Sequence, residues 1–334
     1  MKFGIRFIDY VGTAREIVDL TVLAEQAGFD FVWFPHDVFM RNTWVMTSAV
    51  AEHTTKIMIG SVGTNPYTTN PSEIATYIAT LDELSAGRAV LGLGLHGPAM
   101  VEWTGIDASN YLTRTREAVE IVRALLRGEV VNYQGEEFDW TDQCYLRFEP
   151  IRAEVPIYVC AFGPDYLALS GAIGDGSLPM ITPPESAAYM VQAITAGADA
   201  AGRDPAGVDI AGCAWLSLSD TRMAATDVLR KMIAYFGPYL EAPALATVGL
   251  SPDDFQPLKK SIDAGRYKEA ASSVTEPMFR LAIAGTPDEV IAQIETVAAM
   301  GITQVNLGGP IGPDPAEAIR LMGDRVIPYF QARA

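Results

Sequence analysis

The amino-acid sequence predicts an α/β protein, a (β/α)8 TIM barrel with insertions, because strand-like and helical segments alternate along the chain. The runs Ile57–Ile59 and Ala89–Gly94 are short and apolar on both faces, as expected of strands buried in a parallel sheet. Both lead into glycine-rich loops, and loops at the carboxyl ends of barrel strands carry the chemistry of this fold. Two successive loops of this kind predict a cofactor-binding barrel.

In the first half of the chain, each predicted strand is followed by a predicted helix. The segment after the first strand has an apolar stripe at helical spacing and ends at Gly28. Pro71 stands at the start of the third helix, where its fixed φ is favourable. The predicted strands are 2–8, 29–34, 56–62 and 88–94, and the predicted helices are 14–29, 45–53, 71–87 and 113–128.

The second half continues the alternation but contains two interruptions. Residues 129–150 show aromatic alternation around Gln134 and Gly135, which predicts an excursion or hairpin. Residues 237–278 are rich in Pro and Asp, and we expect a helical lid or oligomer contact there. Around them we predict strands 155–161, 175–181, 208–218 and 303–309, and helices 163–173, 185–201, 220–236, 287–301 and 315–331. Eight strand and helix pairs favour a single barrel domain over residues 1–334 rather than a doubly wound sheet.

Composition excludes several classes of function. The formal net charge is −17, which argues against nucleic acid or anionic membranes as partners, since both favour basic faces. No run approaches the roughly 18 apolar residues of a membrane span, and the N-terminus lacks the pattern of an export signal. The three cysteines form no CxxC motif and the three histidines no HxxxH pair, so neither a disulfide framework nor a zinc site is expected. We therefore expect a cytoplasmic protein with a small-molecule substrate.

Several motifs in their order and spacing resemble the bacterial luciferase-like superfamily. They are MKFGIRF at the N-terminus, AEQAGFDFVW, TNPYTTNPSEIATYIATLDELSAGRAVLGLG, FGPDYLALSGAIGDG, AGTPDEVIAQIE and GGPIGPD. Within that superfamily the chain is most similar to the branch that uses the deazaflavin coenzyme F420, especially the 5,10-methylenetetrahydromethanopterin reductases. The resemblance covers nearly the whole chain. It implies a barrel enzyme that transfers hydride between C5 of the deazaflavin and a small organic or pterin-type substrate.

The resemblance also implies where the cofactor binds. Residues Ser61, Val62, Gly63 and Thr64 correspond to a bulge that often contains a non-proline cis peptide and presses against the deazaflavin ring. A cis peptide or comparable backbone strain is therefore expected between Ser61 and Gly63. Such a bond costs roughly 3–4 kcal/mol and survives only where surrounding contacts enforce it.

Two further segments match cofactor contacts of the family. Leu95 and His96 align with backbone contacts to the ring edge. The phosphate and side chain of the coenzyme lie at a helix start that here comprises Phe162, Gly163, Asp165 and Tyr166. A helix N-terminus binds an anion through its free N–H groups without a lysine. The alternative is a Gly-Pro helix start that Asp165 simply caps, and both descriptions can hold together.

The departures from the family pattern concern the proton donor. Most deazaflavin-dependent relatives carry Asp-His after the second strand, where this chain has His36 and Asp37. The sugar- and alcohol-oxidising branch has a glutamate where this chain has Gly97, and the methylene reductases have a glutamate where it has Arg6. Either the substrate differs or the acid has moved, and the nearby candidates in sequence are Asp9, Asp37 and Glu102.

We predict catalytic roles for His36, Asp37 and Arg6. His36 takes the place of the ring-contacting acid, whereas Asp37 handles a proton. Arg6 points into or above the barrel if its neighbours Phe3, Ile5 and Phe7 face the helices. A buried unpaired guanidinium is costly, so Arg6 must meet Asp9, Asp37 or an anionic ligand. Beside Arg6 the Asp37 carboxylate would stay ionised, which favours an iminium-like substrate over a ketone.

Two other functions remain open. An FMN-dependent luciferase-like monooxygenase would use the same barrel, and a non-catalytic flavin-binding barrel would explain the altered residues as lost chemistry. A homodimer or larger homo-oligomer is also predicted. The second helix and the loop 41–46 are apolar for a surface segment and match the region that pairs subunits in relatives.

Overall fold

The computed structural model describes residues 1–8, 11–95, 101–240 and 242–333, and for residues 243–244 it describes the backbone only. Eleven strands lie in these ranges, and ten of them follow apolar or alternating segments of the sequence. They are β1 (Lys2–Arg6), β2 (Phe31–Pro35), β3 (Met58–Val62), β4 (Ala89–Leu93), β5 (Val131–Gln134), β6 (Asp139–Cys144), β7 (Ile157–Ala161), β8 (Gly176–Pro179), β9 (Asp209–Leu218), β10 (Ala282–Gly285) and β11 (Gln304–Ile311).

The helices follow the strands at short intervals, and several begin at a sequence-encoded cap or at a proline. Thr13 and Glu16 form a capping box at the first helix, and Asn70 followed by Pro71 starts the third. The helices described are α1 (Ala14–Gln26), α2 (Thr43–His53), α3 (Pro71–Leu84), α4 (Tyr111–Leu126), α5 (Gly163–Ile173), α6 (Ala187–Ala200), α7 (Arg222–Phe236), α8 (Ala242–Thr247), α9 (Gln256–Asp263), α10 (Tyr267–Ser272), α11 (Pro287–Ala299), α12 (Pro315–Leu321) and α13 (Ile327–Gln331).

Eight parallel strands close into a ring, so the predicted TIM barrel is confirmed. The order around the ring is β1, β2, β3, β4, β7, β8, β9 and β11, and β11 pairs again with β1. One strand was missed by the sequence prediction: β10 pairs with the second half of β9, beyond the point where β8 pairs with its first half. Its four residues, AIAG, contain a single β-branched side chain, so their composition gives little strand signal.

Alternation along the barrel strands separates two cores. On β1, Phe3, Ile5 and Phe7 belong to the core between the strands and the surrounding helices, as predicted. The other face of each strand fills the barrel interior, which we call the lumen. Its apolar members are Phe31, Trp33, Met58, Val62, Val90, Tyr158, Cys160, Leu178, Met180, Ala211 and Cys213.

Trp33 is the largest side chain in the lumen, and glycines make room for it. It is fully buried and stacks on Phe31 with 5.7 Å between ring centroids. A Cβ atom on Gly60 would lie 2.2 Å from the Trp33 ring, and one on Gly4 would lie 3.0 Å from its Nε1. A larger residue at either position would displace the indole, so these glycines set the floor below the barrel mouth.

The two interruptions have the structures that their sequences indicate. Residues 131–144 form the β5–β6 hairpin, which the buried carboxylate of Glu117 holds by accepting the N–H groups of Glu136, Glu137 and Phe138. Residues 237–278 form the short helices α8, α9 and α10 around their own apolar cluster. Trp215 of β9 belongs to that cluster, and Ile8 and Ile181 pack against it, so the helices border the carboxyl ends of β1, β8 and β9.

Candidate active site at the barrel mouth

The residues predicted to bind a cofactor follow neighbouring strands of the ring. Thr64 continues β3 and is joined to the end of β4 by two hydrogen bonds, from its N–H to Gly92 O at 2.8 Å and from Gly94 N–H to its carbonyl at 2.9 Å. Both segments are buried at the carboxyl end of the barrel. These hydrogen bonds between the ends of β3 and β4 bring the predicted ring-contacting segments together in one wall of the mouth.

The loop at residues 61–64 is compact but has no cis peptide bond. In the described part of the chain the one cis bond joins Gly309 and Pro310, so the cis peptide expected between Ser61 and Gly63 is wrong for this structure. Gly63 instead adopts a φ of 71°, a left-handed conformation that costs glycine little, and this makes the bulge without a cis bond. Its N–H donates to the Cys160 Sγ at 2.8 Å, whereas the Ser61 side chain lies between β3 and β4 near Gly92.

A buried tyrosine links the loop after β4 to α5. The Tyr166 hydroxyl accepts the N–H of Leu95 at 2.9 Å and lies 2.8 Å from the Thr115 Oγ1. Burial raises the pKa of Tyr166, so its hydroxyl stays protonated. Tyr166 therefore positions Leu95, and its own polar atom is already occupied. His96 and Gly97 lie outside the described residues.

The start of α5 has no side-chain cap. Phe162 is the N-cap residue and supplies no acceptor, and Gly163 follows it with a φ of 68°. Asp165 is exposed in the first turn and does not cap the helix, so the simple capping role considered for it is absent. The first N–H groups of α5 remain available to an acceptor that is not a side chain of the helix start.

His36 and Asp37 follow β2 and have different surroundings. Trp33 faces the lumen, and alternation continued past the end of β2 at Pro35 is expected to turn His36 outward and Asp37 inward. The His36 ring lies 6.0 Å from that of Trp44, and its Nε2 is 3.5 Å from the Thr69 Oγ1. Asp37 acts electrostatically on the Cys160 thiol in the lumen. The proton role of Asp37 and the ring contact of His36 stay predictions.

His36 is a neutral imidazole in this setting. Burial lowers its pKa, and this outweighs the opposite effects of its backbone hydrogen bond and of Asp37. Its Nδ1 is buried and has no hydrogen-bond partner. A neutral ring beside Trp44 and Thr69 is suited to packing the β2 loop rather than to carrying charge.

Arg6 ends β1 and points into the lumen, as predicted. Its side chain is buried, with only 5% of the residue exposed. Its Nη1 lies 3.8 Å from the Met180 Sδ, and its Nε has no hydrogen-bond partner. Among the described residues, no ion pair between Arg6 and a carboxylate is found. Asp9 lies outside them, and pairing of Arg6 with Asp9 or Asp37 or with an anionic ligand stays a prediction. Glu102, the other candidate acid, is exposed.

Several residues of the mouth were missed by the sequence prediction. The Arg6 side chain contacts the Met180 sulfur and lies close to Gly308. Its charge also acts on the two lumen thiols, Cys160 and Cys213. Burial raises the pKa of both thiols, so they are neutral. Alternation within their strands places them inward, but nothing in the sequence shows which of them meet.

Unpartnered buried polar atoms mark the mouth as a ligand site. Among the described residues they include Arg6 Nε, Thr64 Oγ1, Tyr67 OH and Ser217 Oγ near the carboxyl ends of strands. Burial raises the pKa of Tyr67 to about 12. A buried polar atom without a partner costs free energy, so a bound molecule that completes these hydrogen bonds is favoured.

A groove of about 580 Å³ extends beyond the mouth next to Tyr67. Arg114 lies in it between the rings of Tyr67 and Phe138, at 4.6 and 4.7 Å from their centroids, and pairs with Glu137 at 2.7 Å. Within the described ranges, no cluster of His, Cys, Asp and Glu could hold a metal ion, and no helix is long and apolar enough to cross a membrane.

Comparison with known families identifies this architecture. Residues 1–304 match the model of the luciferase-like monooxygenase family. The chain belongs to that family. The resemblance inferred from the sequence motifs is therefore confirmed, and the family assignment covers all strands up to the start of β11.

Individual relatives in this family are similar over nearly the full length. The 5,10-methylenetetrahydromethanopterin reductase of Archaeoglobus fulgidus is 36% identical over 99% of this chain and 100% of its own. The enzyme of the same name from Methanopyrus kandleri is 31% identical over 99% of both chains. The solved structure of the coenzyme F420-dependent tetrahydromethanopterin reductase from Methanopyrus kandleri superposes with a TM-score of 0.93, 29% identity, and coverage of 98% of this chain and 99% of that one.

Proposed function

We propose that the protein is a coenzyme F420-dependent oxidoreductase that transfers hydride between the deazaflavin and a small organic or pterin-type substrate. The observation that carries the proposal is the full-length similarity to the F420-dependent reductase, at a TM-score of 0.93 and 29% identity. When bound, the deazaflavin supplies a hydride at its C5. The residues of this chain then bind it, orient the substrate, exclude water and handle one proton.

The mouth contains groups that fit a deazaflavin with an anionic side chain. Residues 61–64 form a buried wall whose Thr64 hydroxyl has no partner. The uncapped start of α5 at Gly163 offers N–H groups to a phosphate, which suits a chain with a net charge of −17 because no lysine is needed. Phe162 adds an aromatic face at the same helix start and stacks with Tyr111 at 5.6 Å.

Asp37 is the group that we assign to the proton. It is the partly buried carboxylate that faces the lumen after β2, and it acts on the Cys160 thiol. A positioned acid or base contributes on the order of 100-fold to 10,000-fold to a reaction that moves a proton. His36 supports this position by packing the β2 loop against Trp44.

A binding experiment tests the cofactor assignment. Titration of the purified protein with F420 and with FMN, followed by fluorescence, should show tighter binding of F420. The Thr64→Val variant should weaken F420 binding by about tenfold, because it removes an unpartnered buried hydroxyl of nearly equal volume. Tight binding of FMN without binding of F420 would instead favour the monooxygenase function, and binding of F420 without any turnover of reduced cofactor would favour the non-catalytic barrel.

The assembly and location proposed with this function are a homodimer in the cytoplasm. Phe39 and Val45, at the start of α2, are 79% and 67% exposed, and Tyr77 and Leu84 of α3 are 37% and 45% exposed. Such a patch is typical of a subunit contact. All three cysteines are free, as is usual in a reducing compartment. Light scattering should give twice the chain mass of 36.0 kDa, and a Val45→Asp variant should shift it toward 36.0 kDa.

A further inference from the structure

We propose that Arg6 and Gly308 form an anion-binding subsite that takes a carboxylate-type group of the substrate. The inference deepens the proposed function and rests on it, because it assigns the substrate side of the same mouth. It differs from the iminium-like substrate that the sequence favoured, since it assigns Arg6 to an anionic group of the substrate.

The first support is the state of the guanidinium. Only 5% of Arg6 is exposed, and its guanidinium carries a positive charge, as arginine side chains do in proteins. Its polar contact to a described side chain is the Met180 sulfur at 3.8 Å, a weak acceptor, and its Nε has none. A buried cation with so little compensation is costly unless an anion joins it.

The second support is the space made for this side chain by β11. Gly308 is paired in register with Arg6. A Cβ atom at position 308 would lie 2.6 Å from Nη2 and 3.1 Å from Nε. Glycine thus lets the guanidinium lie along the strand, where any other residue would push it away. The position of the guanidinium is therefore fixed by the packing of β1 against β11.

The neighbouring groups do not supply the missing negative charge. The Arg6 charge opposes the rise in pKa of the Cys160 and Cys213 thiols, but burial raises the pKa of both and leaves them neutral. Because the whole chain carries a net charge of −17, an anionic ligand is repelled at long range and needs a local cation to bind. Arg6 provides that cation, and its planar fork matches the two oxygens of a carboxylate.

The location assigns this subsite to the substrate rather than the cofactor. The residues proposed to hold the deazaflavin follow β3, β4 and β7, whereas Arg6, Gly308 and Met180 belong to β1, β11 and the end of β8. In the ring, β2 separates β1 from β3, and β8 and β9 separate β11 from β7. Arg6 and Gly308 therefore lie on different strands from the cofactor segments, and Met180 borders β7. Beyond Arg6 the wall is apolar, since Ile8 and Ile181 pack against the Trp215 cluster. A substrate with an apolar body and one carboxylate fits these surroundings.

The test uses benzoate and its neutral analogue benzamide as probes of the cofactor-free protein. Calorimetry should show that the wild-type protein binds benzoate at least about tenfold more tightly than benzamide, as expected for a hydrogen-bonded charge pair. Arg6→Gln should abolish this preference. Gly308→Ala should reduce it by about tenfold with the charge retained, because the new methyl group displaces Nη2. Arg320→Gln removes the same charge from an exposed position on α12 and should leave the preference unchanged.

The outcomes separate this inference from the proposed function. Benzoate that fails to bind, or that binds no better than benzamide, overturns the subsite, as does a preference that survives both Arg6→Gln and Gly308→Ala. A parallel F420 titration assigns the guanidinium: if Arg6→Gln weakens F420 binding as much as benzoate binding, Arg6 serves the cofactor and the inference is wrong. Failure of F420 to bind the wild-type protein would overturn the proposed function without affecting the benzoate preference.

Discussion

The two ends of the barrel differ in how their carboxylates and hydroxyls are used, although the buried side-chain amide of Gln304, at the lower end, also has no hydrogen-bond partner. At the lower end, where the strands begin, carboxylates accept the N–H groups that start the strands: Asp30 accepts from Phe3, Asp82 from Ala89, and Asp175 from Ile157. At the upper end, buried polar atoms of Arg6 and Thr64 have no partner at all. Some of the acidic residues of the chain therefore serve to hold the strand starts together at the lower rim.

The difference shows which end is built for stability and which for ligand binding. Asp209, at the start of β9, is bound by the Lys2 Nζ at 2.9 Å, the Tyr158 hydroxyl at 2.5 Å and the Thr303 Oγ1 at 2.6 Å. Burial alone would raise the pKa of Asp209, but these hydrogen bonds hold it below its ordinary value. Such a network rigidifies this part of the rim and satisfies the Asp209 carboxylate fully. At the mouth, by contrast, Arg6 Nε and Thr64 Oγ1 are buried without partners, and a bound ligand can supply their hydrogen bonds.

Changing one aspartate at each end tests most directly whether the mouth serves catalysis and the lower rim serves stability. Asp37→Asn at the mouth should lower turnover about 100-fold or more, because an amide cannot accept the proton, and should leave the unfolding free energy within about 1 kcal/mol. Asp30→Asn at the lower rim is the matched change and should lower stability with turnover retained. Steady-state kinetics and urea denaturation of both variants measure the two effects. Equal losses of turnover in both would show that the ends do not divide these roles.

The next largest expected effect is on the free energy of unfolding and concerns Trp33, which fills the lumen between the two ends. Trp33→Ala should lower the unfolding free energy by about 3–5 kcal/mol, since it empties the lumen of its largest fully buried side chain. Denaturant unfolding measures this loss. Trp103→Ala, which removes the same kind of ring from a residue that is 71% exposed, is the control and should change stability little. A loss below about 1 kcal/mol for Trp33→Ala would show that the lumen collapses and that the glycines at positions 4 and 60 do not fix it.

The sequence predicted the repeating part of the fold and less of the site. Apolar segments at barrel spacing located all eight strands of the ring, because burial on both faces leaves a strong signal. The strand β10 was missed, since its residues Ala282–Gly285 are small and its place is created by β9 extending past β8. The Gly63 conformation was also mispredicted, because a family's cis bond does not follow from the glycine itself.

Residue roles at the mouth depended on orientation and on contacts between distant segments. The motif comparison assigned the ring contact to His36, which stays a prediction, and the structure adds that the His36 ring packs beside Trp44. By contrast, the meeting of Arg6, Met180 and Gly308 joins strands 1, 8 and 11 of the chain. No local pattern encodes that contact, so only the closed ring reveals it.

A smaller effect is expected from a second carboxylate of the lower rim. Glu25 accepts the N–H groups of Thr55, Lys56 and Ile57 just before β3. Burial would raise its pKa, but these three hydrogen bonds, with the charge of Arg88, lower it overall. Glu25→Gln should cost about 1–3 kcal/mol at neutral pH. Because the lowered pKa makes the ionised form the stabilising one, the difference from wild type should shrink as the pH falls through the carboxyl range. A difference that is constant with pH would contradict the role of the charge.

The smallest effect tests whether the imidazole at the mouth must remain neutral. Burial lowers the pKa of His36 below its ordinary value of 6.5, so the unfolded chain takes up a proton at a pH where the folded protein does not. Stability from the neutral ring is therefore fully present above about pH 6.5 and is lost as the pH falls through the folded pKa. We expect His36→Gln to flatten the decline in unfolding free energy between about pH 7.5 and about pH 5, by at most about 1 kcal/mol. His53→Gln removes an exposed histidine from α2 and is the matched control. If both variants decline as steeply as the wild type, the surroundings of His36 do not penalise its charge, and its assignment as a neutral packing residue beside Trp44 is wrong.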